Sequence, residues 1–215
     1  MKNFNKKGYL TTRDFLNKNE KKIITDVISE IYSEYFLVRK KNFSIESQVF
    51  HDNLLKLRLK NPFEFGEIYD QFKLNAKLRS IFYSSKFIKK FSKILDVPTE
   101  KIFINGFMLR LDAPHDKRNN LDWHQDTPYY KMTYPKMNAG VCWLAITKNS
   151  KNNGTLVFIP TSHKKFINNV KPSKKNKFSS ENFKLLISKK ELENAKNLDQ
   201  SFGDASFLHM NLKHR

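Results

Sequence analysis

One cysteine, Cys142, is the only thiol in this 215-residue chain. An intramolecular disulfide is thereby excluded, and so sparing a use of cysteine points to a reducing compartment. No apolar run approaches the roughly 18 residues that a membrane-crossing helix needs. The opening MKNFNKKGYL is basic but has no apolar stretch behind it, so it does not read as a secretory signal. The expectation is a cytoplasmic protein with no membrane partner. Acidic residues are also few: 21 Asp and Glu stand against 40 Lys and Arg, a formal net charge of +19. Within that excess arginine is scarce, with 33 lysines to seven arginines. Bidentate reading of phosphates and bases relies on the arginine fork. Lysine scattered along the whole chain is a solvated surface before it is a nucleic-acid interface, so a nucleic-acid-associated basic protein is the weakest reading. An anionic small-molecule substrate suits the charge equally well. No internal repeat is present, and nothing in the sequence speaks to the oligomeric state.

What the chain does have is aromatic bulk, with 19 Phe and eight Tyr. At this length that is enough for a single domain with a real core. The first half has helical periodicity. Gly8-Tyr9-Leu10 suggests a short strand, and Asn17 or Asn19 is placed to cap the helix that follows. In that helix Ile23, Ile24, Val27, Ile28, Ile31 and Tyr35 recur at steps of three and four. Val49 to Leu59, Phe63 to Phe72 and Leu78 to Leu95 continue the pattern, the first of these ending before Pro62. After Pro98 the period changes to two. Ile102 to Leu111, Gly140 to Thr147, Thr155 to Ile159 and Ser201 to Leu208 all alternate as strands do. Polar loops separate them, notably 115–120 and 148–153, and the basic stretch 171–180 also reads as a loop. A mainly helical part, 1–98, followed by a β part, 99–215, is the organisation this predicts.

The residues that carry chemistry are His124-Gln125-Asp126 and, 88 positions beyond Asp126, His214. In extended chain, residues i and i+2 project to one side, so His124 and Asp126 can share a metal while Gln125 points away. Two histidines and one carboxylate are the donor set of mononuclear non-haem iron(II), which leaves one face of the ion open. An HxD triplet alone is weak, because His and Asp also meet in ordinary surface loops. Its neighbourhood adds weight: Asn153-Gly154-Thr155-Leu156 and Ile159-Pro160-Thr161-Ser162-His163-Lys164 make a turn, a strand and a second turn. Gly203-Asp204 then leads into Phe207-Leu208-His209.

Those stretches, with Lys7-Gly8-Tyr9-Leu10, Trp123–Asp126, Val141–Thr147, Asn152–Lys164 and Gly203–Arg215 in that order, resemble the phytanoyl-CoA dioxygenase family. The resemblance implies a double-stranded β-helix, a cupin-like jelly roll, with N-terminal helices packed on it. This α+β, mainly β fold would lack its last strand in a chain that stops at Arg215. It implies iron(II), 2-oxoglutarate and O2 as the reacting set, and His124, Asp126 and His214 as the metal ligands. It further implies that Met108 and Trp143 line the 2-oxoglutarate pocket. Apolar residues on alternating strands are usually core. Core is the better reading for Met108, and the two roles weigh equally for Trp143. Hydroxylation of a C–H bond in an acyl-CoA-like or other small metabolite is the implied function. Retention of Asp126 argues against the halogenating relatives, in which a small residue replaces the carboxylate.

Among the other histidines, His209 is the rival of His214 for the third ligand position, and the family pattern favours His214. His163 in the PTSH turn is expected to be structural; His51 and His115 are expected on the surface. The family also holds the far carboxylate of 2-oxoglutarate with an arginine beyond the last histidine. Arg215 directly follows His214 and, on a strand, would point away from the metal. Arg110, two residues after Met108, is the internal alternative. Absence of that arginine motivates the second reading, a catalytically impaired metal-binding member of the same fold.

Overall fold

The structure is a computed structural model describing residues 2–36, 44–110, 121–130, 138–166, 171–172 and 183–215. Two units make up the chain. One comprises Met1–Phe15, Lys93–Asp96 and Pro114–Arg215, the other Leu16–Ser92 and Val97–Ala113. None of the described helices is long and apolar enough to cross a membrane.

The second unit contains the helices α2 (Lys18–Phe36), α3 (Gln48–Lys60), α4 (Pro62–Leu74) and α5 (Ala76–Phe82), and all of α6 (Ser85–Leu95) up to Ser92. Their starts follow from side chains able to hold orphan amides. The Asn17 side chain accepts the Glu20 N–H at 2.9 Å, and the Glu20 carboxylate accepts the Asn17 N–H at 2.8 Å. Ser47, Asn61 and Asn75 cap the next three helices. The α2 stripe Ile24, Val27, Ile28 and Tyr32 is buried, and the Tyr32 ring meets those of Phe50 and Phe72 at 5.1 and 5.5 Å.

Two expectations for this unit are corrected. Leu78–Leu95 is two helices, broken at Tyr83 and Ser84, where the Ser84 N–H reaches back only three residues to Ile81 O. Ile102–Leu111 is no strand over its described part, 102–110. Its alternation instead turns Phe107 onto Phe82, with centroids 4.6 Å apart, and buries Leu109. Met108, on the other side, is 63% exposed, so it is not core. A period of two makes a strand only where a neighbouring backbone completes the ladder.

In the first unit, α1 (Lys2–Lys7) leads through Gly8 into β1 (Tyr9–Thr12), the strand expected there. β1, β7 (Ala205–His209) and β2 (Gly140–Leu144) form an antiparallel sheet with β7 in the centre. Its register places Tyr9 opposite Leu208, and Leu208 opposite Val141. Alternation therefore puts Tyr9, Thr11, Val141, Trp143, Ser206 and Leu208 on one face. A second set of strands pairs β3 (Val157–Phe158) with β6 (Lys196–Asn197) and adds bridges from His214 to both Phe158 and His124. Leu156, Phe158, Leu198, Leu208 and Leu212 form one buried cluster, with Tyr9 and Trp143 packed on it. Because that cluster draws from both sets of strands, the two pack face to face. Trp123, Ile159 and Leu185 form another cluster, which Val157 joins, on the opposite side of the second set. A short pairing of β4 (Lys171–Pro172) with β5 (Phe183–Lys184) and the helix α7 (Lys189–Glu193) complete this unit.

Candidate metal centre

His214 lies on the segment 212–215, held between two others. On one side its N–H and C=O bond to His124 O and N at 3.0 and 2.9 Å. On the other, Val157 and Arg215 exchange two bonds of 2.9 Å, and the Ile159 N–H donates to Lys213 O at 3.0 Å. Directly opposed residues of antiparallel strands present their side chains to the same face. His124, His214 and Phe158 consequently share the face that carries the larger apolar cluster.

Asp126 reaches this face by a different route from the expected one. Its backbone is α-helical, φ −74° and ψ −26°, and opens the 3-10 turn Thr127–Tyr129. The extended-chain argument therefore holds for His124 and fails for Asp126. A turn brings the carboxylate in, fixed by the Asp126 N–H donating to Met210 O at 2.8 Å. The result still unites the three residues. Asp126 Oδ1 is 3.6 Å from Nε2 of His124 and 3.6 Å from Nε2 of His214. All three donor atoms lie within 4.8 Å of one another. Both histidines are buried and the carboxylate is half-buried.

The hydrogen bonds behind the imidazoles decide what the cluster can hold. His124 Nδ1 lies 2.7 Å from Asp122 O, and His214 Nδ1 lies 2.8 Å from Leu212 O. A carbonyl oxygen can only accept, so each Nδ1 carries a proton and each ring, when neutral, turns its Nε2 lone pair toward Asp126. Two lone pairs and a carboxylate converging in a poorly solvated site repel one another unless a cation lies between them. A divalent ion with bonds of about 2.1 Å sets neighbouring donors about 3 Å apart, so the carboxylate and each imidazole, 3.6 Å apart here, fit one after a contraction of about 0.6 Å. Beside them the Tyr130 hydroxyl has its pKa raised, by burial first and by the Asp126 charge second, so it stays protonated.

Trp143 lies on the face of β2 that meets the larger cluster, in keeping with either role expected of it. Met108 and Arg110 belong to the helical unit, on the segment 102–110. Arg215 turns to the other side of its segment, its guanidinium 5.3 Å from the centre of the Trp123 ring. His209 lies apart from the cluster: its ring neighbours His163 at 5.1 Å, and its Nδ1 accepts the Asn211 N–H. His163 closes the PTSH turn, with Nε2 3.0 Å from Asn5 O. His51 is half-buried rather than on the surface. His115, the loop 115–120 and most of the basic stretch 171–180 lie outside the described residues.

The family profile for phytanoyl-CoA dioxygenase (PhyH) matches residues 4–215. The chain belongs to the phytanoyl-CoA dioxygenase family. Its members are 2-oxoglutarate-dependent non-haem iron oxygenases, and iron(II), 2-oxoglutarate and O2 are the reacting set that membership brings. Solved structures of similar fold include EctD from S. alaskensis with 2-oxoglutarate and 5-hydroxyectoine. It is 13% identical with a TM-score of 0.60, the match covering 99% of this chain and 67% of that one. AviO1 from Streptomyces viridochromogenes Tue57 is 14% identical with a TM-score of 0.55, over 99% and 83% of the two chains. The epimerase SnoN in complex with Fe3+, α-ketoglutarate and nogalamycin RO is 12% identical with a TM-score of 0.53, over 99% and 73%. Among curated protein sequences there is no significant match.

Proposed function

We propose that His124, Asp126 and His214 hold iron(II) and that this member of the family hydroxylates a C–H bond of a small molecule. The observation that carries the reading is the pair of Nε2 atoms, each 3.6 Å from one carboxylate oxygen, on rings each fixed from behind by a backbone carbonyl. Iron(II) bound there supplies, with 2-oxoglutarate and O2, an oxidation whose balance is substrate plus 2-oxoglutarate plus O2 to hydroxylated substrate, succinate and CO2. The chain's own residues hold the ion and shape its surroundings. The Asp122 and Leu212 carbonyls keep both imidazoles in one tautomer, and Phe158, Leu208, Leu212 and Trp143 keep water from the neighbouring face. The two packed sets of strands and the family match over 4–215 support a double-stranded β-helix within a single oxygenase domain.

Replacing Asp126 by Ala tests the site. Wild-type protein is expected to bind iron(II) under anaerobic conditions and the variant to lose that binding. Unchanged affinity in the variant rules out the three residues as the site. One observation favours the second reading, a metal-binding member that does not turn over 2-oxoglutarate: Arg215 is committed to Trp123. Succinate release measured with and without iron separates the two.

A further inference from the structure

Asn211 is buried three residues before His214, and both of its oxygens accept bonds from residues that flank Asp126. Its N–H donates to His209 Nδ1 at 3.0 Å. Its backbone oxygen accepts Gln125 Nε2 at 2.6 Å, and its side-chain Oδ1 accepts the Thr127 hydroxyl. One residue earlier, Met210 O accepts the N–H groups of Asp126 and Thr127 at 2.8 and 3.3 Å. Residues 125–127, which include one ligand, are thus fastened to residues 210–211, which lead into another. The two bonds to Met210 O are backbone to backbone and need no particular residue there. They locate the Asp126 peptide, which the His124–His214 backbone pair also anchors from the preceding side. Thr127 to Asn211 Oδ1 is a second attachment, on a side chain. Gln125, whose Nε2 also donates to Lys165 O at 2.8 Å, supplies a third. The Thr127 attachment holds the turn on the side of Asp126 that follows it in sequence, where the His124–His214 pair does not reach.

We propose that Asn211 is a positioning residue: its side-chain oxygen, through Thr127, fixes the orientation in which the Asp126 carboxylate faces the two histidines. The inference rests on the reading of the three residues as a metal site. It assigns to Asn211 a part that no histidine or carboxylate motif would reveal. Asp in its place keeps an acceptor for the Thr127 hydroxyl, whereas Ala removes it. Val at position 127 removes the donor instead, with nearly unchanged volume.

Cobalt(II) alone, titrated into the whole chain, is the probe, read by affinity and by its visible ligand-field spectrum. Asn211→Ala and Thr127→Val are both expected to weaken binding about 10–100-fold, as loss of a partner behind a metal ligand does. Both should also alter the cobalt spectrum, while Asn211→Asp keeps affinity and spectrum near those of the wild type. Gln200→Leu, a buried amide bonded to Trp143 O, Asp204 O and Ser206 Oγ, controls for general loosening; its cobalt spectrum should be that of the wild type. Should Asn211→Ala fail to fold, Thr127→Val alone decides. Wild-type affinity and spectrum in Thr127→Val, in protein whose Asp126→Ala variant no longer binds, overturn the positioning role and leave the metal site standing. If the wild type does not bind cobalt at all, the metal reading falls and the role of Asn211 falls with it.

Discussion

Asp204 is a buried carboxylate that ties several segments of the strand unit together, and its removal should show how much they depend on it. Its side chain is 4% exposed and ends three hydrogen bonds. The Ser201 N–H donates at 2.8 Å, the Asp14 N–H at 2.9 Å, and Arg13 Nη1 at 2.6 Å. Arg13 is 63% exposed, so its pairing is worth at most about 1 kcal/mol. The two backbone donors matter more, because a bond to a charged acceptor contributes about 1.5–3 kcal/mol and a stranded buried amide costs about as much. Asp204→Ala should therefore lose about 3–5 kcal/mol, while Arg13→Ala should lose no more than about 1 kcal/mol. Both tryptophans, Trp123 and Trp143, lie in the strand unit, so their fluorescence during urea unfolding reports on the right transition. The pH dependence has a definite sign. Burial pushes the Asp204 carboxyl up, but the Ser201 N–H, the Arg13 guanidinium and the Asp14 N–H outweigh it and hold the group below its ordinary 3.8. Its contribution is thus present above pH 3.8 and is lost as the pH falls below that value toward the folded-state pKa, a loss that Asp204→Asn should abolish. A stability change under about 1 kcal/mol in Asp204→Ala would refute the reasoning.

Gly8→Ala should destabilise the same unit by about 2–4 kcal/mol, measured by urea unfolding. Gly8 has φ +82°, and an added Cβ would stand 2.4 Å from His163 Nδ1 and 2.9 Å from Leu212 Cδ1. A loss under about 0.5 kcal/mol would show that the turn adapts. His209 has its pKa pushed down to about 4, by burial first and by neighbouring His163 second. The unfolded chain therefore binds the proton more readily, and stability should decline as the pH falls from about 6.5 to about 4. His209→Asn keeps an acceptor for the Asn211 N–H without the titration, so its stability should fall less between pH 7 and pH 5. An identical slope in the two proteins would remove His209 as the cause.

How far these features could be read from the sequence depends on how local their causes are. Asn17 as the cap of α2 and the buried stripe Ile24, Val27, Ile28 and Tyr32 follow from spacing along one helix. The strand positions around Tyr9, Val141, Val157 and Phe207 were legible in the same way, because alternation there coincides with a real neighbour. At Ile102–Arg110 the same alternation meets helices instead of a strand, and nothing in the segment announces that. His124, Asp126 and His214 were legible as residue types in an order. The turn that carries Asp126 inward was not, since it depends on Met210 O, a backbone atom 84 positions away. Asn211 and Gln125 escaped for a related reason. An amide is informative only once its partners are known, and theirs are carbonyls and hydroxyls with no signature in sequence.

Arg215 shows what alternation can decide once the register is known. Along 212–215 the side chains go in turn to the shared apolar cluster (Leu212), to Glu191 (Lys213), to the metal-site face (His214) and to Trp123 (Arg215). The paired bonds between Val157 and Arg215 lock that order, as do those between His124 and His214. Shifting the segment by one residue would turn the guanidinium toward the metal-site face, but the same slip would carry His214 off it. Arg215 and His214 therefore exclude each other from that face. A cation that meets the far carboxylate of 2-oxoglutarate in this protein must come from another segment. The stacking of Arg215 on Trp123 then acts from the opposite side, where it helps hold the strand end whose next residue inward is His214.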